Sequence, residues 1–267
     1  YMLKATRESK RGTNWTRPEA RYEKALESFV RGALAEEGGN AFLAELMNFV
    51  RTLDPFSALA SLSLTLLKLT SPGVPDAYQG CEVIAPSLLD PDNRRPVDYE
   101  LRARSLDGLQ QLDESDDLPA AVLGLVDEAT DGRAKLWATW RLLRLRQGLP
   151  ALFQSGSYEA LDVSGLRADH LLAFARRHGQ AFVLVIVVRL FAGLASAVSG
   201  DSQASAPVWR GEAWGDTRVR LPEDAGDCLL TDCLTGEVHA AGRELAIADL
   251  MTHFPGAVLL CEPSSGR

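Results

Sequence analysis

The apolar residues of this 267-residue chain change period once, and that single change restricts the possible folds more than any motif does. Up to residue 148 they recur every three or four positions, as on one face of a helix. Beyond Leu149-Pro150 they alternate in short runs separated by Gly, Asp and Pro, as on half-buried strands. The expected fold class is therefore mixed α and β, with a mainly helical part over 1–148 and an antiparallel β domain, read as a sandwich, over 149–267.

Within the helical part, Thr16 and Pro18 predict a helix start and Gly38-Gly39 its stop, giving a helix over 16–36 that carries Tyr22, Leu26, Phe29, Val30 and Leu34 on one side. A second helix is expected over 40–53, with Phe42, Leu43, Leu46, Phe49 and Val50 aligned, ending at Asp54-Pro55. Residues 57–69 are apolar or small all round, which fits a helix packed on several sides. Pro96 and Asp98 open a helix to about residue 109, an acidic linker occupies 113–117, and 134–146 form a helix with Trp137, Trp140 and Leu143 inward. Strands are expected over 156–161, 170–176, 180–189, 219–221, 227–231 and 257–261, whereas 192–213 has no clear pattern.

Charge and composition narrow the function classes. Lys plus Arg number 28 and Asp plus Glu 36, a net charge of −8, so neither duplex nucleic acid nor an anionic lipid surface is an expected partner. The one long apolar run, 181–198, has Arg189 at its middle and a β-branched first half, and reads as a buried strand rather than a membrane helix. Cys81, Cys228, Cys233 and Cys261 are too scattered for a disulfide framework or a zinc site, which fits reduced thiols in a cytoplasmic protein. The chain opens on Tyr1 followed by Lys4, Arg7, Lys10 and Arg11 with no apolar leader, and reads as a piece of something longer. No Gly-rich phosphate loop, metal-spaced histidines or nucleophile elbow around Ser155 is present, so no cofactor and no metal are expected.

Chemistry concentrates in one stretch. Asp76, Glu82, Asp90, Asp92 and Asp98 fall within two dozen residues, interleaved with Tyr78, Gln79, Asn93, Arg94 and Arg95. Carboxylates and amides can pair with vicinal sugar hydroxyls, guanidinium groups can orient those carboxylates, and a tyrosine ring offers a platform for an apolar sugar face. The same residues equally suit a solvated loop whose Asp-Pro-Asp-Asn run caps the next helix and whose arginines make ordinary ion pairs. Trp209 and Trp214 could form a further sugar platform, with packing into the β domain as the stronger alternative.

The run SPGVPDAYQGCE followed by DPDNRRPVDY resembles the eighth-strand segment and following loop of the alpha-amylase superfamily of glycoside hydrolases. More narrowly, the opening MLKATRESKRGTNWTRPEARYEKALESFV resembles the maltooligosyl trehalose synthase family, and Phe153-Gln154-Ser155-Gly156 with Tyr158 and Phe254-Pro255 fit that family's carboxyl-terminal region. The resemblance implies that the helical portion carries the last strand of an incomplete (β/α)8 barrel. It also implies an intramolecular transglucosylase that converts the reducing-end α-1,4 linkage of a maltooligosaccharide into an α,α-1,1 linkage, with maltooligosaccharide as substrate.

In that superfamily the reacting carboxylates lie on the fourth, fifth and seventh barrel strands, upstream of anything matched here. No catalytic residue is carried over, and the missing N-terminal barrel portion of the same protein becomes an expected partner. Carried over instead is a share of the substrate cleft: Tyr78, Gln79 and Glu82 at the carboxyl end of a barrel strand, Asp90, Asp92, Asn93, Arg94 and Arg95 in the next loop, and Lys4, Arg7, Lys10 and Trp15 from the opening pattern. The fragment alone is expected to be inactive. The alternatives are a complete, non-catalytic carbohydrate-binding module, and another amylase-superfamily hydrolase or transferase.

Overall fold

A computed structural model describes residues 1–201, 204–223, 225 and 228–261. The chain forms two compact units, Tyr1–Leu53 with Ala85–Val97, and Asp54–Ile84 with Asp98–Arg267. These units do not follow the helix-to-strand switch near residue 149, because helical segments contribute to both.

The first unit holds α1 (Met2–Ser9), α2 (Ala20–Ala33) and the opening of α3 (Ala41–Thr70). Helix α1 was not expected, since its many polar residues leave only a narrow apolar stripe. Helix α2 begins four residues later than Thr16 suggests. Asn14 Oδ1 accepts the amides of Thr16 and Arg17 at 3.0 and 2.7 Å, which diverts this segment into a turn, and the cap is Glu19, whose side chain accepts from Arg21 N. Asn40 then works in two directions. Its Nδ2 donates to Ala33 O and Ala35 O, closing α2, while its Oδ1 accepts from Leu43 N and opens α3.

The two helices expected over 40–53 and 57–69 are one continuous helix, α3, which runs through Pro55. A proline inside a helix frees the carbonyl four residues earlier. Here that carbonyl belongs to exposed Arg51, so water can take up the bond.

In the second unit, α3 residues from Ala58 onward are largely buried, including Leu59, Leu62, Leu66 and Leu69. Helix α4 (Tyr99–Leu112) starts on an Asp98 cap, with Oδ1 accepting from Leu101 N at 2.8 Å. The acidic stretch expected as a plain linker supplies Asp117 as the cap of α5 (Leu118–Asp127). Helix α6 (Arg133–Gly148) buries Trp137, Ala138 and Leu142, while Trp140 is only half-buried. Leu143, expected inward, is exposed, because the Trp137 indole N–H donates to Leu234 O at 3.0 Å and fixes the helix rotation. A short α7 (Pro150–Ser155) follows.

The β-rich part begins with β1 (Ser157–Ala160), β2 (Val163–Ser164), β3 (Leu171–His178) and β4 (Ala181–Val188). Helix α8 (Phe191–Ser199) fills part of the unpatterned interval. Then come β5 (Arg218–Arg220), β6 (Leu229–Asp232), β7 (Val238–Ala240), β8 (Glu244–Ala246), α9 (Ile247–Leu250) and β9 (Gly256–Cys261). Asp227, the expected start of a strand, lies outside the described residues.

Both sheets are antiparallel, one ordered β1-β3-β4-β9-β6-β7 and the other β2-β5-β8. The β-branched run of β4 lies at the centre of the larger sheet, buried along nearly its whole length, as the absence of polar alternation demands. No helix among the described residues is long and apolar enough to cross a membrane.

Helix α3 packs against this sheet: Ser63 Oγ donates to Val188 O at 2.7 Å, and a Cβ at Gly256 would lie 2.5 Å from Leu66 Cδ1. Arg176 of β3 is fully buried. Its guanidinium donates to the carbonyls of Thr70, Leu152, Gly156 and Ser157, joining the carboxyl ends of α3 and α7, where partial negative charge collects. The segment expected as a barrel strand, around Tyr78, forms no ladder among the described residues. A parallel strand needs a hydrogen-bonded neighbour, and the described residues place none beside it.

Candidate functional site

The candidate residues gather into two groups, one in each unit. In the second unit Tyr78 and Gln79 are exposed, and Tyr78 O accepts from Cys81 N in a tight turn. The turn is gripped from α4: Arg102 donates through Nη2 to Gly80 O at 3.0 Å and through Nε to Glu82 Oε2 at 3.3 Å. Glu82 is thus an ion-paired, half-buried carboxylate. From α6, Lys135 Nζ donates to Val83 O at 3.2 Å. Burial holds this ammonium's pKa below its ordinary value, with the neighbouring Lys68 adding to the effect and Cys81 and Glu82 opposing it. Gly132 completes the support. With φ +85°, it lies so close beneath the segment that a Cβ would sit 2.8 Å from Ile84 N.

In the first unit the loop after this segment carries its own network. Asp90 pairs with Arg94, and Asp92 pairs with Arg95 while accepting from Leu88 N at 2.8 Å. The Asp90–Pro91 peptide is cis. Lys4 Nζ donates to Asp90 O at 2.7 Å, so the opening helix and the loop are tied together. Asn93 Oδ1 is buried without a hydrogen-bond partner.

Arg7 forms a bidentate pair with Glu23 at 2.8 and 2.6 Å and lies 5.0 Å from the Trp15 ring centroid. Thr13 Oγ1 adds a third bond to Glu23, at 2.6 Å, and Arg7 with Thr13 pulls that carboxyl down to about 2. Arg7 is therefore a neutralised bracing residue, whereas Trp15 remains exposed. Lys10 is the exposed left-handed cap of α1. Two group geometries result: an exposed Tyr-Gln turn braced by Arg102, and an Asp/Arg loop braced by Lys4. Both present hydrogen-bonding groups, and the first adds the exposed Tyr78 ring, equipment that can hold a polyhydroxyl ligand.

Trp209 and Trp214 offer no sugar platform. Both are buried, and the Trp214 indole N–H donates to Trp209 O at 2.7 Å.

Sequence reasoning missed Arg102, Lys135 and Asp232. Asp232 is buried and lines a cavity of about 270 Å³ together with Arg141 and Arg144. Burial pushes its carboxyl up to about 7, against the amides of Leu234 and Val258, which favour its ionised form. No local motif marks these positions, since each depends on which distant element packs beside it.

No family model matches the chain. Over 260 residues it is 32% identical to a protein of Mycobacterium tuberculosis assigned as a maltooligosyl trehalose synthase, covering 97% of this chain and 28% of that protein. The solved structure of maltooligosyltrehalose synthase from Arthrobacter ramosus superposes with a TM-score of 0.69 at 33% identity, covering 97% of this chain and 29% of that one. The chain is homologous to one part of the maltooligosyl trehalose synthases. A further solved maltooligosyl trehalose synthase gives 28% identity and a TM-score of 0.64, covering 98% of this chain and again 29% of the other. The chain thus spans under a third of the length of the relatives it matches.

Proposed function

We propose that this chain is the carboxyl-terminal part of a (1→4)-α-D-glucan 1-α-D-glucosylmutase, an enzyme that isomerises the reducing-end α-1,4 linkage of a maltooligosaccharide to α,α-1,1 and leaves a terminal trehalose unit. The observation that carries the reading is identity of about one residue in three sustained over almost the whole chain, against relatives and a structure bearing that name. In this reading residues 1–148 complete the catalytic (β/α)8 barrel and 149–267 form its β-sandwich domain. The segment around Tyr78 becomes the eighth strand once the preceding strands give it neighbours.

A retaining transfer requires two carboxyl groups roughly 5–5.5 Å apart across the glycosidic bond. Those groups belong to the polypeptide preceding Tyr1, so the isolated chain has no activity. Its contribution is to bind: Tyr78, Gln79 and Glu82, the loop Asp90, Asp92, Asn93, Arg94 and Arg95, and Lys4, Lys10 and Trp15 line or brace the sugar subsites, with Arg7 acting through Trp15. The protein works in the cytoplasm. The test is product analysis of the complete reading frame's protein on maltopentaose. Trehalose-capped product with little free glucose is expected, and maltose with glucose as the main products would overturn the reading.

A further inference from the structure

The first unit has no core of its own. Among Tyr1–Leu53 and Ala85–Val97 the only buried residue is Thr13, and every large apolar side chain is at least half open to solvent or only partly covered. The exposed apolar residues are also ordered. On α2 Tyr22 and Phe29 stand seven residues apart, and on α3 Phe42 and Phe49 repeat that spacing, with Val50 and Leu53 beside them. Seven residues are two turns, so each pair lies along one side of its helix. Phe29, Phe42 and Phe49 are 73, 56 and 60% exposed, and exposed apolar patches mark surfaces that bind a partner.

We infer that the apolar sides of α2 (Tyr22, Phe29) and of the opening of α3 (Phe42, Phe49, Leu53) are each part of a permanent internal interface, covered by the preceding polypeptide of the same protein. This rests on the proposed parentage. Two observations select that occupant. A unit with no buried apolar side chain cannot retain the 14-residue α2 in water through propensity alone, and the α3 segment before Asp54 has no buried side chain of its own, so the cover must be constitutive rather than a transient partner. The relatives, moreover, carry more than twice this chain's length of additional polypeptide in the same molecule. A second copy of the chain or a lipid surface would leave the unit uncovered whenever it dissociated.

The test is carried out in the protein from the complete reading frame. Single variants Phe29→Cys, Phe49→Cys and, as an exposed polar control, Glu36→Cys are labelled with a maleimide, and each site is read by peptide mass spectrometry. Labelling at positions 29 and 49 at least about tenfold slower than at position 36, unchanged on tenfold dilution and without lipid, is the expected result. Equal rates at all three positions would overturn the inference. So would protection that disappears on dilution, which would indicate a second copy, or protection that needs anionic vesicles. Product analysis on unlabelled protein reports separately on the parentage, so protected positions with no trehalose formation would condemn the activity and not the interface.

Discussion

Arg176 and Asp232 show what single residues do that sequence could not announce. Arg176 sits in β3 where alternation suggests an ordinary strand position, yet it is buried and bonded to four main-chain carbonyls. Arg176→Met would keep the apolar stem and remove the guanidinium donor; Leu152 O would keep the Gly156 amide and the Gly156 and Ser157 carbonyls lie near solvent, which leaves Thr70 O as the buried acceptor that loses this donor. At about 1–3 kcal/mol for a buried group left without a partner, a loss of about 1–3 kcal/mol is expected in urea unfolding, and no measurable loss would mean that water replaces the guanidinium. Asp232 carries a linkage prediction. Its folded value, about 7, lies above the ordinary 3.8. Between those two pH values the folded protein holds a proton that the unfolded chain has released, so stability falls as pH rises through that window and levels off above it. Asp232→Asn keeps an acceptor for Leu234 N, which is 2.8 Å away, but cannot ionise. Its unfolding free energy should gain on wild type from pH 5 to pH 8, and parallel pH profiles would show that the buried acid does not titrate. By contrast the Asp98 and Asp117 caps sit beside helical patterns and were readable, or nearly so, from sequence, because a cap acts on amides two or three residues away.

At the scale of elements, legibility followed the range of the interactions. Six expected strands met observed ones because turn residues and β-branching are local signals, although β2, β7 and β8, of two or three residues each, are too short to show a period. Pro55 misled in the other direction, since an exposed carbonyl partner makes an internal proline tolerable and exposure is a property of the fold. The same limit applied to the candidate site. Tyr78, Gln79 and Glu82 could be picked out by their chemistry, but the elements that brace them, α4 through Arg102 and α6 through Lys135 and its cap Gly132, follow 20 to 52 residues later in the chain. Gly132 gives the sharpest element-scale test. A methyl there meets the backbone of Ile84 and the Cβ of Val83 at 2.8 and 2.9 Å, in a conformation unfavourable to side chains. Gly132→Ala should therefore lower thermal stability by several degrees and, in the complete enzyme, raise KM for maltopentaose more than it lowers kcat. An unchanged KM would detach the Tyr78–Glu82 turn from the substrate.

For the whole molecule, the two compact units and the resemblance to longer proteins lead to one account. In the proposed account the chain supplies recognition surface and a β-rich domain, and the chemistry resides on polypeptide that precedes it. The sequence alone pointed to this because the Tyr-Gln-Gly and Asp-Asn-Arg-Arg runs are short-range patterns, whereas the proposed barrel would close only on strands outside the chain. The most direct measurement compares trehalose-capped product formed from maltopentaose by the complete polypeptide with that formed by the same polypeptide ending just before Tyr1. The account predicts robust conversion by the first and a loss of at least about a hundredfold in kcat/KM for the second, at or above about 2.7 kcal/mol of transition-state stabilisation. Undiminished conversion by the shortened polypeptide would contradict it.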